Sequence, residues 1–401
     1  MEYVSGIKLR HILLDNGNWW KFFLKHHHLI RPSIIVNVLK VLVCKTVFLG
    51  YSLFVCRQCG HRVNAPHTCK SRFCSSCGKK ATDNWIKTAM NTLPKTTWQH
   101  LTFTLPKPLW DFFWVNRQLM GKLPAIAAGI VKELAAKDGF LPGIFLAIHT
   151  FGRDLKRNFH LHLSTTIGGL RLPDYESYRE GAYFHHRPIK NMWRYRVIDL
   201  LRTEFQQGKL TMPPNLRHLR TDSAFCSWTA QFYRTDWVVE LSRQSKDMKV
   251  NVHYLGRYLK RPPIGETRIK AYDGQFVTFE YLDHYTDTQS CTTLPVLEFI
   301  ARLITHIPDK YFRMIRYYGF LATRVRGKLL PKVYSFLAMK TSTAKKVYTT
   351  WRQMLLNIFH RDPIHCPRCK ISMELTDIVL PLSISLSDAH RNIAHGYYVP
   401  I

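Results

Sequence analysis

The chain has 401 residues, 46% hydrophobic and 13% aromatic, enough for more than one packed core and too apolar for a disordered chain. Its 58 Lys and Arg against 27 Asp and Glu give a formal charge of +31. An excess of that size repels itself unless a polyanion screens it, so DNA or RNA is the expected partner and an anionic membrane surface the weaker candidate.

Residues 1–50 carry apolar side chains at helical spacing, with Trp19, Trp20, Phe22, Phe23 and a solvated turn at His26–His28. The most apolar stretch, 34–55, is interrupted by Asn37, Lys40 and Lys45, so it is expected to pack as helix and not to span a membrane. The opening "MEYVSGIKLRHILL" lacks the layout of a signal peptide, and a cytoplasmic, nucleoid-associated protein is expected.

Cysteines crowd the next segment. Cys56-x2-Cys59 and Cys74-x2-Cys77 have the spacing of two knuckles, whose four thiolates are expected to hold one structural Zn²⁺ in a domain spanning 51–92. Cys69, His61 and His67 are spare donors, and Gly60 and Gly78 suit tight turns after each pair. Close pairs in a basic intracellular chain point to metal and not to disulfides. Arg57, Arg62, Lys70, Arg72, Lys79 and Lys80 surround the pairs, which suits contact with phosphate. Cys366-x2-Cys369 supplies half of another site, to be completed by His360 or His365, or forms an ordinary turn.

A helix is expected over 81–93 and a strand over "HLTFTLP" (His100–Pro106), with His100, Thr102 and Thr104 on one face. Residues 110–137 read as helix, broken or kinked at Pro124. "GIFLAIHT" (Gly143–Thr150) and "FHLHLSTTIGG" (Phe159–Gly169) form an expected antiparallel hairpin around the polar turn "FGRDLKRN". Alternation sends His160 and His162 to one face while Leu161 and Leu163 point to the other. One side can seat on a core while the other offers two nitrogen ligands; a half-exposed strand that happens to carry two histidines is the bland alternative.

A strand at Asp236–Ser242 precedes a short helix, "NVHYLGRYLKR" (251–261), ended by Pro262 and Pro263. Asp273-Gly274 between alternating runs marks a hairpin, and helical pattern returns at 295–306 and in the C-terminal part. In 251–261, Tyr254 and Tyr258 share one helix face among Arg257, Lys260 and Arg261. Such aromatics usually pack on a core. A phenol can also attack a phosphodiester, provided that neighbouring cations or a base lower its pKa of about 10. A divalent ion at the histidines would polarise the phosphate.

The order "HLTFTLP", "HTFGRDLKRNFHLHL", "YLGRYLKRPPI" resembles the rolling-circle tyrosine transposases of bacterial insertion sequences, whose hallmark is a His-hydrophobic-His motif. It is most similar to the insertion-sequence-ninety-one family, and the cysteine segment, "FIARLITHIPDKYFRMIRYYGFLA" and "DPIHCPRC" resemble further parts of it. The resemblance implies an α+β catalytic domain at 93–310, a small antiparallel sheet flanked by helices, between the zinc-binding module and a helical C-terminal region at 311–401. It implies cleavage and rejoining of single-stranded DNA at element ends through a 5′-phosphotyrosine. His160 and His162 carry over as ligands of Mg²⁺ or Mn²⁺, with His149 as third ligand and His100 as second choice. Tyr254 and Tyr258 carry over as the paired nucleophiles. The rival functions are a zinc-containing DNA-binding protein without catalysis and a metal-dependent nuclease that uses water. The aromatics Trp193, Tyr317 and Tyr318 lie among basic residues and are candidates for base stacking or for the core.

Overall fold

The computed structural model describes residues 6–181, 184–242, 252, 262–283, 286–339, 350, 352–353, 356, 362–381 and 388. Helices Leu9–Leu14, Asn18–His26 and Pro32–Leu42 come first, followed by strands β1 (Tyr51–Val55) and β2 (Arg62–Pro66). Helix Ser75–Thr92 leads into β3 (Trp98–Thr104), then short helices Trp110–Val115 and Arg117–Met120 precede helix Leu123–Lys137. Pro124 lies in the first turn of that last helix, where its missing N–H has no partner to lose, so it starts a helix and kinks none. The long hairpin β4 (Phe140–Phe151) and β5 (Arg157–Arg171) is followed by β6 (Tyr178–Arg179), helices His186–Gln206 and Asp222–Ala230, and β7 (Val239–Leu241). Strands β8 (Ile269–Tyr272), β9 (Phe276–Leu282) and β10 (Gln289–Pro295) lead to helix Val296–Thr305, β11 (Ile315–Gly319), helix Arg326–Phe336 and β12 (Glu374–Val379).

The described strands form three antiparallel sheets. The central one has the order β11-β4-β5-β3-β7, with β6 paired to β5. Its first face carries Leu101, Phe103, Ile144, Leu146, Ile148, Phe159, Leu161 and Leu163 into the main core, against helices 123–137, 186–206 and 222–230. The second face carries Trp98, Phe145 and Ala147, covered by Trp85 and Ala89 of helix 75–92, by Leu329 and Leu330 of helix 326–336, and by Val252. An alternating strand buried on both faces has room for a polar cluster on only part of one, and that part is where the histidines stand.

Among the described residues, the N-terminal helices pack away from the central sheet. Leu13, Trp19, Val38 and Leu42 form a second core with Val277, Phe279, Phe299 and Leu303 from the β8–β10 sheet and its following helix. Asn18 Nδ2 donates to the Tyr272 hydroxyl at 2.8 Å, and that hydroxyl donates to Asp15 at 2.7 Å, tying the two parts of the chain. The expected Asp273-Gly274 turn is present: Gly274 has φ +94°, and Asp273 Oδ1 accepts from the amides of Gln275 and Phe276 at 2.8 and 2.7 Å.

Strands β1, β2, β10, β11 and β12 were not apparent from residue pattern, being short or lacking clean alternation. β12, within the C-terminal part expected to be helical, pairs with β1 more than 300 residues away in sequence.

Gly319 closes β11 against β4 with φ +61°, and a Cβ there would meet the Pro142 carbonyl oxygen at 1.7 Å. Gly319→Ala is expected to lower stability by about 2 kcal/mol or more, read from the urea midpoint. Gly327→Ala, a helical position with nothing within 4 Å of the added Cβ, is expected to hold or raise the midpoint. Equal midpoints for both variants would contradict this account of the β11 edge.

Candidate active site and metal centres

Antiparallel pairing decides which side chains meet on the second face of the sheet. His149 of β4 stands directly opposite His160 of β5, and His162 lies between Ala147 and Thr102 of the flanking strands. Opposed residues point the same way, so the three rings converge, with centroids 4.8 to 5.3 Å apart. His149 and His162 are buried and His160 is half-buried, so the cluster reaches solvent through His160. One nitrogen from each ring lies within 4.8 Å of the others. His149 Nδ1 and His160 Nε2 are 3.2 Å apart, close to the roughly 3 Å expected between two nitrogens that each bind one ion at about 2.1 Å.

Neighbouring groups orient these rings. His160 Nδ1–H donates to the Asn158 carbonyl at 3.0 Å, which turns Nε2 toward the cluster. His162 Nδ1 and His100 Nε2 are 3.1 Å apart, and His100 Nδ1 lies 3.3 Å from Ser164 Oγ. A proton on each Nδ1 satisfies both contacts, so His100 stands behind His162 as its orienting partner. His149 and not His100 completes the triad that could hold an ion. Burial pushes the His100 imidazole down to about 4. Burial, and then the neighbouring imidazoles His160, His149 and His100, hold His162 well below its ordinary value. Neutral imidazoles are the form that binds a divalent ion.

Tyr254 and Tyr258 lie outside the described residues, as does the expected helix around them except for Val252, which is helical and fully buried. Trp193 is a core residue whose indole N–H donates to the Thr104 carbonyl at 2.8 Å, and it does not face a nucleic acid. The Tyr317 hydroxyl accepts from the Trp85 indole at 3.1 Å, so that phenol is also held structurally.

The cysteines form two sets of four. Cys44, Cys69, Cys74 and Cys77 make one, and Cys56, Cys59, Cys366 and Cys369 the other. The expected quartet Cys56, Cys59, Cys74, Cys77 is therefore divided. β2 carries the chain away from the first knuckle, and the second pair meets Cys44 at the end of helix Pro32–Leu42. Cys-x2-Cys spacing says that two thiolates share an ion, not which other pair joins them. Cys44, isolated in sequence, had no spacing to mark it, whereas Cys69 was already a spare donor. In the first set the sulfurs of Cys44 and Cys77, Cys69 and Cys77, and Cys74 and Cys44 are 3.8, 3.7 and 3.7 Å apart. Four thiolates bound tetrahedrally at about 2.3 Å would be separated by roughly 3.8 Å, so this set fits a zinc ion. Cys74 occupies the N-cap position of helix Ser75–Thr92 and Cys77 lies in its first turn, so an ion there would fix where the helix starts.

Residues 16–105 match a family model described as "Transposase zinc-binding domain", and residues 143–328 match one described as "Putative transposase". The chain is 39% identical over 360 residues to "Transposase for insertion sequence element IS801" of Pseudomonas savastanoi pv. phaseolicola, across 88% of this chain and 86% of that protein. It is 29% identical over 344 residues to "Putative transposase y4qJ" of Sinorhizobium fredii, across 83% and 86% of the two chains. No solved structure matches significantly. Fold, cysteine sets and relatives together define a DNA-processing transposase with an N-terminal zinc-binding domain. The chain belongs to the IS91 family of insertion-sequence transposases. Among the described residues no helix is long and apolar enough to cross a membrane.

Buried imidazoles set a pH response. His306 is also pushed down to about 4, chiefly by burial, with Nε2 against the Leu155 carbonyl at 3.0 Å and Nδ1 near Thr150 Oγ1 at 3.2 Å. An unfolded chain protonates such groups near 6.5, while the folded chain resists until about 4. The unfolded state therefore binds the extra protons, and stability falls as pH drops from about 6.5 to about 4, by up to about 3 kcal/mol per group. His306→Gln is expected to flatten this fall in a urea-midpoint series across pH. A slope unchanged by the substitution would contradict the assignment.

Proposed function

We propose that this transposase cleaves and rejoins single-stranded DNA at the ends of its insertion sequence, with Tyr254 and Tyr258 as nucleophiles and His149, His160 and His162 as ligands of Mg²⁺ or Mn²⁺. The observation that carries this reading is the convergence of three imidazole nitrogens on one face, oriented from behind by the Asn158 carbonyl and His100. Three imidazoles can hold a divalent ion whose remaining positions accept phosphate oxygens, and nitrogen ligands favour Mn²⁺ over the harder Mg²⁺. A bound ion would supply charge neutralisation at the scissile phosphate.

The protein groups do the rest. A phenolic oxygen of Tyr254 or Tyr258 forms a bond to phosphorus, the P–O3′ bond breaks, and the 3′ oxygen leaves as a hydroxyl after taking up a proton. The 5′-phosphotyrosine keeps the energy of the phosphodiester, so another 3′-OH can reverse the step onto a new strand. Support for bringing the phenols near comes from Val252, two positions before Tyr254. It is buried in the same cluster as Phe145 and Ala147, which share the face of β4 that carries His149.

DNA binding draws on the charge excess. An open cavity of about 570 Å³ beside β11 is lined by Lys310, Tyr311, Arg313 and Arg316 among others, and Tyr311 is 87% exposed. Cations with an exposed ring suit a single strand, whose phosphates and bases they contact without reading sequence. In this reading residues 93–310 carry the chemistry and 51–92 belong to the metal-stabilised module, and the protein acts on cytoplasmic DNA.

The test is a labelled single-stranded oligonucleotide spanning the element end, incubated with the protein and Mn²⁺ and run on a denaturing gel. A covalent protein–DNA band is expected, lost in the double variant Tyr254→Phe, Tyr258→Phe and reduced at least a hundredfold in His160→Ala, His162→Ala. Cleavage without a covalent band would instead indicate a nuclease using water, and binding without cleavage a protein that only holds DNA.

A further inference from the structure

We infer that Cys56, Cys59, Cys366 and Cys369 form a second tetrathiolate zinc site, which clamps the C-terminal strand onto the N-terminal module. The family's zinc-binding match covers residues 16–105 and so contains only half of this set.

Two turns face each other here and share one design. In the first, the Gly60 amide donates to the Cys56 carbonyl at 2.9 Å and the Cys56 amide to the His61 carbonyl at 2.9 Å. In the second, the Lys370 amide donates to the Cys366 carbonyl at 2.9 Å and the Cys366 amide to the Ile371 carbonyl at 2.8 Å. The residue after each pair has positive φ, +68° at Gly60 and +59° at Lys370. A lysine in that region is uncommon and needs a reason. The turn also aims the Cys369 amide at Cys366 Sγ, 3.5 Å away, an arrangement that favours a thiolate. Cys59 and Cys366 sulfurs are 3.5 Å apart across the gap, and all four sulfurs lie within 4.8 Å of one another.

Among the described residues, the parts are otherwise held by the β1–β12 ladder, the Arg57–Glu374 ion pair and a small core. β12, β1 and β2 form a separate three-stranded sheet, and its core consists of Cys56, Cys366 and Met373 with Phe54, Val63 and Cys369 partly covered. Five of the six β12 residues are exposed. So small a core cannot by itself hold together strands from the two ends of a long chain, whereas a thiolate-bound zinc ion contributes folding energy directly. A soft tetrahedral sulfur set selects zinc over magnesium or manganese. The inference is independent of the DNA chemistry proposed above, because neither histidines nor tyrosines enter it.

The full-length protein, loaded with ¹¹³Cd in place of zinc, is the material for the test. Cadmium NMR separates tetrathiolate sites from nitrogen-ligated ones by chemical shift. Two tetrathiolate signals are expected from the wild type and one from Cys366→Ser, Cys369→Ser. Cys369→His is expected to keep a second ion, with its signal moved toward the nitrogen-ligated range. Limited proteolysis of the double serine variant should release the segment containing β12, which the wild type protects. A single tetrathiolate signal from the wild type overturns the inference even if the variants fail to fold. So does a pair of signals that persists in the double serine variant.

Discussion

The antiparallel ladder between β4 and β5 is the constraint on which the rest depends. It sets His149 across from His160 and keeps His162 on the same face, while Leu161, Leu163, Leu146 and Ile148 enter the main core on the other. A slip of one residue would drive imidazoles into that core and leucines into the open face. The register is therefore held by burial of aliphatic side chains that have no chemical role. Further pinning comes from the irregularity between His149 and Phe151, and from the close approach of Gly169 to the Leu141 carbonyl, where a Cβ would come within 2.0 Å.

A long helix links the zinc-binding module to this sheet. Helix Ser75–Thr92 begins in the first cysteine set, with Cys77 in its opening turn. Further along, Trp85 and Ala89 pack over Phe145 and Ala147, on the histidine side of the sheet. An ion at the cysteines would fix the start of the helix, and the helix covers part of the face that carries the histidines. The cysteine set and the histidine cluster are thus joined by packing, with no shared ligand.

Much of the candidate site was legible in the sequence because it follows strict period-two alternation. The pattern of "FHLHLS" places both histidines on one face, and the adjacent "GIFLAIHT" offers His149 in the neighbouring strand, where the ladder indeed sets it. Local spacing also marked each Cys-x2-Cys pair. Partner choice between pairs was not legible, because it depends on contacts distant in sequence. Cys44 has no close cysteine neighbour to mark it, and Cys366 pairs across the whole chain with Cys59. β11 and β12 escaped for the same reason, since each pairs with a strand distant in sequence, while β1, β2 and β10 lack a clean residue pattern. His100, the second choice for third ligand, stands instead behind His162, a place that follows from the offset of β3 against β5 and that no single strand reveals.

An anomalous-scattering map from crystals of the protein grown with Mn²⁺ and a single-stranded element end is the most direct measurement of the central claim. The account predicts a manganese peak about 2.2 Å from one nitrogen each of His149, His160 and His162, with the Tyr254 or Tyr258 phenol directed at the phosphate beside it. A map with no peak at these rings, or with the metal there and both phenols turned away from the phosphate, would contradict it.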